Sequence, residues 1–378
     1  MLTIKLRFFA LILATVTICS SLLIQGTPCF GAEPRVTAGS AILYERDSKE
    51  ILFEENSRER RPPASTTKIM TAIIAIEMGS MSDQVVVSKY AASIGGTSIH
   101  LREGEIFTFE DLLWGTLLNS GNDAAVALAE SVAGTEALFV DLMNQKAFLL
   151  GAFDTTFKNT NGLPETGHLS TSYDLAMIAD YGLDNPVFAQ IVSTKNAVIP
   201  KKDTTWKRSL NNTNRLLSAY PGANGIKTGT TNAAGQCLIG SASRESRQLI
   251  SVVLRSGNRY GDSTKLLNHG FEDYFIFKIP KGSVIGTMYF PKGKPYQVDL
   301  ETAEEACFAV SGDMLQEYEK QLYVNKPSLP LKGGQKVGYL EIKANKQYKI
   351  PVTVVQPVNK ETVADSMHKL FYSINQDF

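Results

Sequence analysis

The stretch Pro62-Pro63-Ala64-Ser65-Thr66-Thr67-Lys68-Ile69-Met70-Thr71-Ala72-Ile73-Ile74-Ala75-Ile76 sets four polar residues at the mouth of an apolar run. The two prolines break what precedes them. Ile69, Ala72, Ile73 and Ile76 recur at helical spacing, which predicts a helix from near Ser65 to about Met78. In such a helix residues i and i+3 share a face, so the Ser65 hydroxyl and the Lys68 amine can meet. Four further helical stretches follow: 109–118, the run after Asn122, about 136–150 and about 173–181.

Strand-like sequence flanks this helical block on both sides. Residues 40–56 alternate in two runs around the charged segment 45–50 and read as a β-hairpin. After Gly222, the runs 236–243 and 249–254 are separated by the charged turn Arg244-Glu245-Ser246-Arg247. Packing the first hairpin beside these late strands gives one antiparallel sheet with helices on its faces, an α/β (α+β) arrangement. The character changes near Ile279-Pro280-Lys281-Gly282. Beyond it lie short alternating runs, such as Tyr348, Ile350, Val352 and Val354, and turns such as Gly333-Gly334. Residues 33–279 are therefore expected to form one domain and 280–357 a small all-β domain.

The two ends carry other signals. Lys5 and Arg7 precede an apolar run from Phe8 to Ile24, then Gly26, Thr27, Pro28 and Cys29. This is the pattern of an export signal over residues 1–32; an uncleaved anchor is the rival reading, and both put the rest of the chain outside the cytoplasm. At the other end, 358–378 is a candidate amphipathic helix, with Val363, Met367, Leu370, Phe371 and Ile374 on one face. It suits docking on its own domain or a peripheral membrane contact.

Bulk charge favours no polyanion. Lys plus Arg and Asp plus Glu number 38 each, which gives nucleic-acid binding no support. None of the four histidines has a ligand partner at usable spacing, and no cysteine pair does, so neither metal nor cofactor is expected. Cys237 and Cys307 read first as single thiols.

Three short motifs carry the chemistry. Ser65-Thr66-Thr67-Lys68 offers a nucleophile and a base. A serine hydroxyl needs activation, and a lysine held in a desolvated, cation-lined pocket can supply it. Ser120-Gly121-Asn122 sits between two helical runs, where Ser120 can relay a proton and Asn122 can hold a substrate amide. Lys227-Thr228-Gly229-Thr230 offers a positive charge and two hydroxyls for a carboxylate, with Gly229 permitting close approach of a substrate backbone. A backbone N–H here and that of Ser65 would form an oxyanion hole. Each motif alone reads first as a helix cap or a turn; S-x-N recurs at Ser209, Ser256 and Ser373.

Their order is specific. S-x-x-K, S-x-N and K-T-G occur in sequence in penicillin-binding proteins and serine β-lactamases. The chain resembles the low-molecular-mass penicillin-binding proteins, the serine D-Ala-D-Ala carboxypeptidases. Pro63 to Thr71, Gly115 to Ala124, Asn161-Gly162-Leu163, His168 and Ser170-Thr171 agree as well. The resemblance implies a penicillin-binding domain followed by that family's C-terminal β domain. It implies Ser65 as acylated nucleophile, Lys68 as base, Ser120 and Asn122 along the proton path and substrate, and Lys227, Thr228 and Thr230 on the terminal carboxylate. The partners it implies are peptidoglycan peptides ending in D-Ala-D-Ala, with β-lactams as inhibitors. Many members have His in place of Thr230, and a further arginine often helps; Arg255 and Arg259 are both candidates. His168 reads first as a structural hydrogen-bonding residue.

Three rivals remain. A class A β-lactamase would need a water-activating glutamate; Glu165 lies in the right interval, but Gly162-Leu163-Pro164-Glu165-Thr166-Gly167-His168 does not resemble that loop. A D,D-endopeptidase would use the same scaffold. A non-catalytic envelope-binding protein would have no need of both Ser65 and Lys68.

Overall fold

The computed structural model describes residues 33–200, 207–315, 317–325, 327–344, 346–365 and 367. The export segment predicted over 1–32 and the helix predicted beyond 367 lie outside the described residues.

The first hairpin joins β1 (Ser40–Glu45) to β2 (Glu50–Glu55). A 3-10 turn at Ala64–Thr67 then leads into α1 (Lys68–Met78), so Ser65 sits in a tighter turn than the α-helix expected there. Next come β3 (Gln84–Val86), α2 (Lys89–Ser93) and β4 (Ile106–Thr108). The helical block continues as α3 (Phe109–Leu117), α4 (Asn122–Ala133), α5 (Glu136–Leu149), α6 (Ser172–Leu183) and α7 (Pro186–Ser193). Local sequence fixes several of its ends. Thr108 and Asp111 form a reciprocal capping box on α3, Thr135 and Thr171 cap α5 and α6, and α4 stops at Gly134 with φ 79°.

The chain then forms β5 (Asn196–Pro200), β6 (Lys207–Asn211), α8 (Leu216–Ala219), β7 (Ala223–Thr231), β8 (Gly235–Arg244), β9 (Arg247–Ser256) and α9 (Arg259–Asp273). One five-stranded antiparallel sheet has the order β2-β1-β9-β8-β7. The first hairpin thus pairs with the late strands, as its alternation predicts. Strand parity sorts the side chains. Ile42 and Tyr44 join the large core beneath α1 and α3 to α7, whereas Ala41 and Leu43 join a smaller core on the other face.

That smaller core rests on α9, a helix the sequence reading did not anticipate. Its apolar side is narrow: Leu266, Leu267 and Gly270 are buried, and most of its other residues are polar. Gly270 is required there, because a Cβ would lie 2.5 Å from a Leu249 methyl and 2.9 Å from a Leu43 methyl.

The remaining strands are β10 (Tyr274–Ile279), β11 (Val284–Tyr289), β12 (Gly293–Lys294), β13 (Gln297–Thr302), β14 (Ala306–Ser311), β15 (Glu319–Val324), β16 (Lys336–Lys343), β17 (Gln347–Val354) and β18 (Asn359–Lys360). Five of them form an antiparallel sheet of order β11-β13-β17-β16-β15 over a third core of Leu300, Phe308, Ile342, Ile350, Val352 and Val354. β10 pairs with β14 and serves two cores. Tyr274 and Ile276 pack on the α9 side, and Phe277 and Ile279 pack on the third core. Cys237 and Cys307 are both free thiols, the first buried and the second half-buried. Among the described residues no helix is long and apolar enough to cross a membrane.

Candidate active site

The tight turn before α1 brings Ser65 and Lys68 together. Lys68 Nζ lies 3.2 Å from Ser65 Oγ, 2.6 Å from Asn122 Oδ1 and 2.7 Å from the Asn161 carbonyl oxygen. Lys68 is fully buried. Burial, then the positive charge of Lys227, hold its amine well below the usual lysine range, with Asp123 acting in the opposite sense. A neutral amine has two N–H bonds and one lone pair. Asn122 and Asn161 provide acceptors for the two N–H bonds, so the lone pair is left for the Ser65 proton.

Asn122 opens α4 and is itself held from three directions. It accepts from Lys68, its amide Nδ2 donates to the Gly95 carbonyl over 2.7 Å, and its backbone N–H donates to the Thr97 carbonyl over 2.7 Å. The neighbouring Asp123 carboxylate accepts from the Ser98 hydroxyl and from the backbone N–H groups of Ile99 and Leu101, which fastens the 97–101 loop to α4. Ser120 is buried just before this helix, with φ 62°. A positive φ is uncommon for a non-glycine residue and is tolerated only where the surroundings enforce it. Ala64, immediately before Ser65, has φ 50°.

The third motif lies within β7, not ahead of a strand as the sequence suggested. β7 is the edge of its sheet. Its free side lies against the Ala64–Thr67 turn at Gly229. A Cβ on Gly229 would sit 2.9 Å from the Ser65 nitrogen and 3.1 Å from the Pro63 carbonyl oxygen. Gly229 therefore admits the protein's own backbone at this point. Lys227 is buried, and burial followed by the Arg259 charge lowers its amine to about 7. The Thr228 hydroxyl hydrogen-bonds that of Thr213 over 2.6 Å.

Arg259 opens α9 and reaches back to β7. Its Nη1 donates to Thr230 Oγ1 over 2.8 Å and to the Gly229 carbonyl over 3.0 Å. Its buried Nε has no hydrogen-bond partner among the described residues. Arg255 is exposed near the end of β9, with φ 50°, against Gly235. The pair left open by sequence is thus separated: Arg259 stands beside the motif.

His168 lies behind the turn. Its Nδ1 accepts from the Lys158 backbone N–H over 3.0 Å, which leaves Nε2–H to donate to Thr67 Oγ1 over 2.8 Å. Burial, then Lys158, lower its imidazole to about 4. It is a neutral bracket between the 158–168 loop and the Ser65 turn. Gly162, with φ 88°, passes so close to Ala64 that a Cβ would overlap the Ala64 carbonyl oxygen at 1.9 Å. The Asn161 carbonyl, the Asp123 carboxylate and α9 as the source of the arginine were not recognised from the sequence. Asn161-Gly162 was the visible signal for the first, since a glycine at positive φ marks a close backbone approach. No group of three or more His, Cys, Asp or Glu side chains among the described residues is placed to share a metal ion.

Comparisons with known proteins agree with this geometry. Residues 29–258 match the S11 peptidase family, described as D-alanyl-D-alanine carboxypeptidase. The chain is 38% identical over 317 residues to the D-alanyl-D-alanine carboxypeptidase DacF of Bacillus subtilis, covering 81% of each chain. It is 33% identical to DacC of Escherichia coli, covering 82% of this chain and 81% of that one. Among solved structures, the D-alanyl-D-alanine carboxypeptidase DacD of Francisella tularensis superposes with a TM-score of 0.74 at 28% identity, over 87% of this chain and 95% of that one. Penicillin binding protein 5 of Haemophilus influenzae superposes with a TM-score of 0.74 at 26% identity, over 87% and 100%. The chain belongs to the S11 peptidases, the D-alanyl-D-alanine carboxypeptidase family.

Proposed function

We propose that this protein is a serine D-Ala-D-Ala carboxypeptidase that removes the terminal D-Ala from peptidoglycan stem peptides through a Ser65 acyl-enzyme, and that β-lactams acylate the same serine. The observation that carries this reading is the buried Lys68 amine, 3.2 Å from Ser65 Oγ, with two acceptors on its other sides.

Lys227, Thr228, Thr230 and Arg259 hold the substrate's terminal carboxylate. Ser65 Oγ attacks the carbonyl carbon of the penultimate D-Ala, and Lys68 takes the hydroxyl proton. The tetrahedral oxyanion lies between the backbone N–H of Ser65 and that of Thr230. Its collapse breaks the amide C–N bond. The proton on Lys68, passed directly or through Ser120, goes to the leaving D-Ala amine. Water then attacks the Ser65 ester, gives a proton to Lys68, and releases the shortened peptide and the serine hydroxyl. No redox partner is needed. Asn122 positions the substrate amide, and Gly229 keeps β7 close to the serine.

The catalytic unit spans 33–279, the β-rich unit 280–357 follows, and 358–378 makes a peripheral membrane contact after export. Exposed Val363 and Met367, at 79% and 55%, support the apolar face of that last segment.

Mass spectrometry of residues 33–378 after incubation with benzylpenicillin tests the reading. A long-lived adduct on Ser65, absent in Ser65→Ala, is expected, together with release of D-Ala from a D-Ala-D-Ala peptide. Rapid destruction of the drug without an adduct would mean a β-lactamase. An intact drug and no adduct would leave a non-catalytic envelope protein.

A further inference from the structure

The aim of Arg259 depends on where α9 begins. Arg259 is the first residue of that helix, and its Nη1 reaches three acceptors on β7 and β8: Thr230 Oγ1 at 2.8 Å, the Gly229 carbonyl at 3.0 Å and the Cys237 carbonyl at 3.4 Å. A long side chain meets fixed partners only when its own backbone is held in place. The turn 256–258, from the last residue of β9 to the cap of α9, therefore sets the aim.

That turn is tied to a distant part of the chain. Thr37 lies 220 positions before Gly257. Its Oγ1 accepts from the backbone N–H groups of Gly257 and Asn258, each over 3.1 Å, and donates to Asp262 Oδ2 over 2.7 Å. The Thr37 N–H donates to Asp262 Oδ1 over 3.0 Å. Asp262 is buried in the first turn of α9 and also accepts from Ser256 Oγ over 2.6 Å. Ser256 Oγ in turn accepts from the Asn258 N–H over 3.0 Å. One carboxylate and two hydroxyls thus join residue 37 to both ends of the turn and to α9.

The segment that carries Thr37 is itself fixed. Ala38 is buried and Val36 packs in the α9-side core. The Gly39 N–H donates to the Leu254 carbonyl over 3.0 Å, and Lys265 Nζ on α9 donates to the Arg35 carbonyl over 2.8 Å. Within α9, Asn258 Oδ1 accepts from the Gly261 N–H over 3.1 Å. That cap settles how the helix starts, whereas the tie to Thr37 settles where.

We propose that Thr37 and Asp262 are positioning residues, and that segment 35–39 is a brace that fixes Arg259 against β7 and so sets the affinity for the substrate's terminal carboxylate. The proposal rests on the reading of Arg259 as a carboxylate holder.

The test is a double-mutant cycle on steady-state release of D-Ala from Nα,Nε-diacetyl-L-Lys-D-Ala-D-Ala by residues 33–378. The variants are Thr37→Val, Thr37→Ser and Asp262→Asn, each alone and combined with Arg259→Ala. Thr37 is exposed, so water competes for its partners and the effect is modest. Thr37→Val should raise KM roughly three-fold, the worth of one neutral hydrogen bond, with kcat little changed. Asp262→Asn should raise KM further, and Thr37→Ser, which keeps the hydroxyl, should behave as the unmodified protein. With Arg259 already replaced by Ala, Thr37→Val should add nothing. The same rise in KM in both backgrounds would overturn the brace in favour of a general effect on the fold. An unchanged KM in Thr37→Val beside a raised KM in Arg259→Ala would sink the brace alone. If Asp262→Asn does not fold, the Thr37 series decides by itself. An unchanged KM in Arg259→Ala would sink the carboxylate role of Arg259, and the brace with it. No release of D-Ala by the unmodified protein would sink the D,D-peptidase reading itself.

Discussion

Lys68 Nζ is 3.2 Å from Ser65 Oγ but 2.6 Å from Asn122 Oδ1, so the amine is held more closely by Asn122 than by the proposed nucleophile. That order suits a proton acceptor. The amine is fixed in place, and its contact with the nucleophile is free to shorten when substrate arrives. It also makes Asn122 a positioning residue for Lys68 as well as a candidate substrate ligand.

Acylation of Ser65 should follow the free-amine form of Lys68. Its proton is lost well below the usual lysine range because of burial and Lys227. The acylation rate should therefore rise with pH along a limb displaced below the usual lysine range. Lys68→Ala should slow benzylpenicillin acylation by about 10²–10⁴-fold, the usual span for loss of a general base, and remove that limb. Stopped-flow acylation across pH checks both. An unchanged limb in the variant would exclude Lys68 as the base.

Arg259 touches Thr230 and the Gly229 carbonyl, and its charge helps lower Lys227. Arg259→Ala should raise KM for a D-Ala-D-Ala peptide by roughly ten-fold, the scale of one charge-assisted hydrogen bond. It should affect the C-terminal amide of the same peptide little. Arg255→Ala should leave both nearly unchanged. The reverse ranking of the two variants would assign the carboxylate to Arg255.

His168 should make stability depend on mildly acid pH. Its folded-state value near 4 lies below the ordinary 6.5, so between those values the unfolded chain binds the extra proton. Its contribution is complete above pH 6.5 and is lost as pH falls toward 4, by roughly 3 kcal/mol at most. Urea denaturation at pH 7 and pH 4.5 should show this loss, and His168→Gln should flatten it. An equal loss in the variant would assign the acid sensitivity to other groups.

Gly162→Ala should damage the site without touching a reactive atom. The added Cβ would overlap the Ala64 carbonyl, at a backbone φ of 88° that alanine disfavours. Stability should fall by about 2 kcal/mol or more, and Ser65 acylation should slow at temperatures where the variant is folded. Calorimetry with the penicillin assay checks this. An unaltered Tm and rate would mean that the 159–163 loop does not brace the turn.

The sequence by itself picked out the candidate nucleophile, base and carboxylate grip, because each is a local motif whose side chains are neighbours in the chain. Ser65 and Lys68 are three residues apart, and Lys227 to Thr230 lie within one strand. It also pointed to the main sheet, since the strand-like runs at 40–56 and 236–254 pair antiparallel as expected. Only the tertiary structure decided what joins those pieces. The second acceptor on Lys68 is a backbone carbonyl, Asn161 O, and any residue type could supply it. The choice of Arg259 over Arg255 depended on α9, whose few buried apolar residues give little periodic signal in sequence. Gly229 was visible as a glycine, but its neighbour across the gap, the backbone of Pro63 to Ser65, is set by how α1 docks on the sheet edge. Local chemistry is written in neighbouring residues, whereas these three contacts join segments that are far apart in the chain and meet only through the packed core.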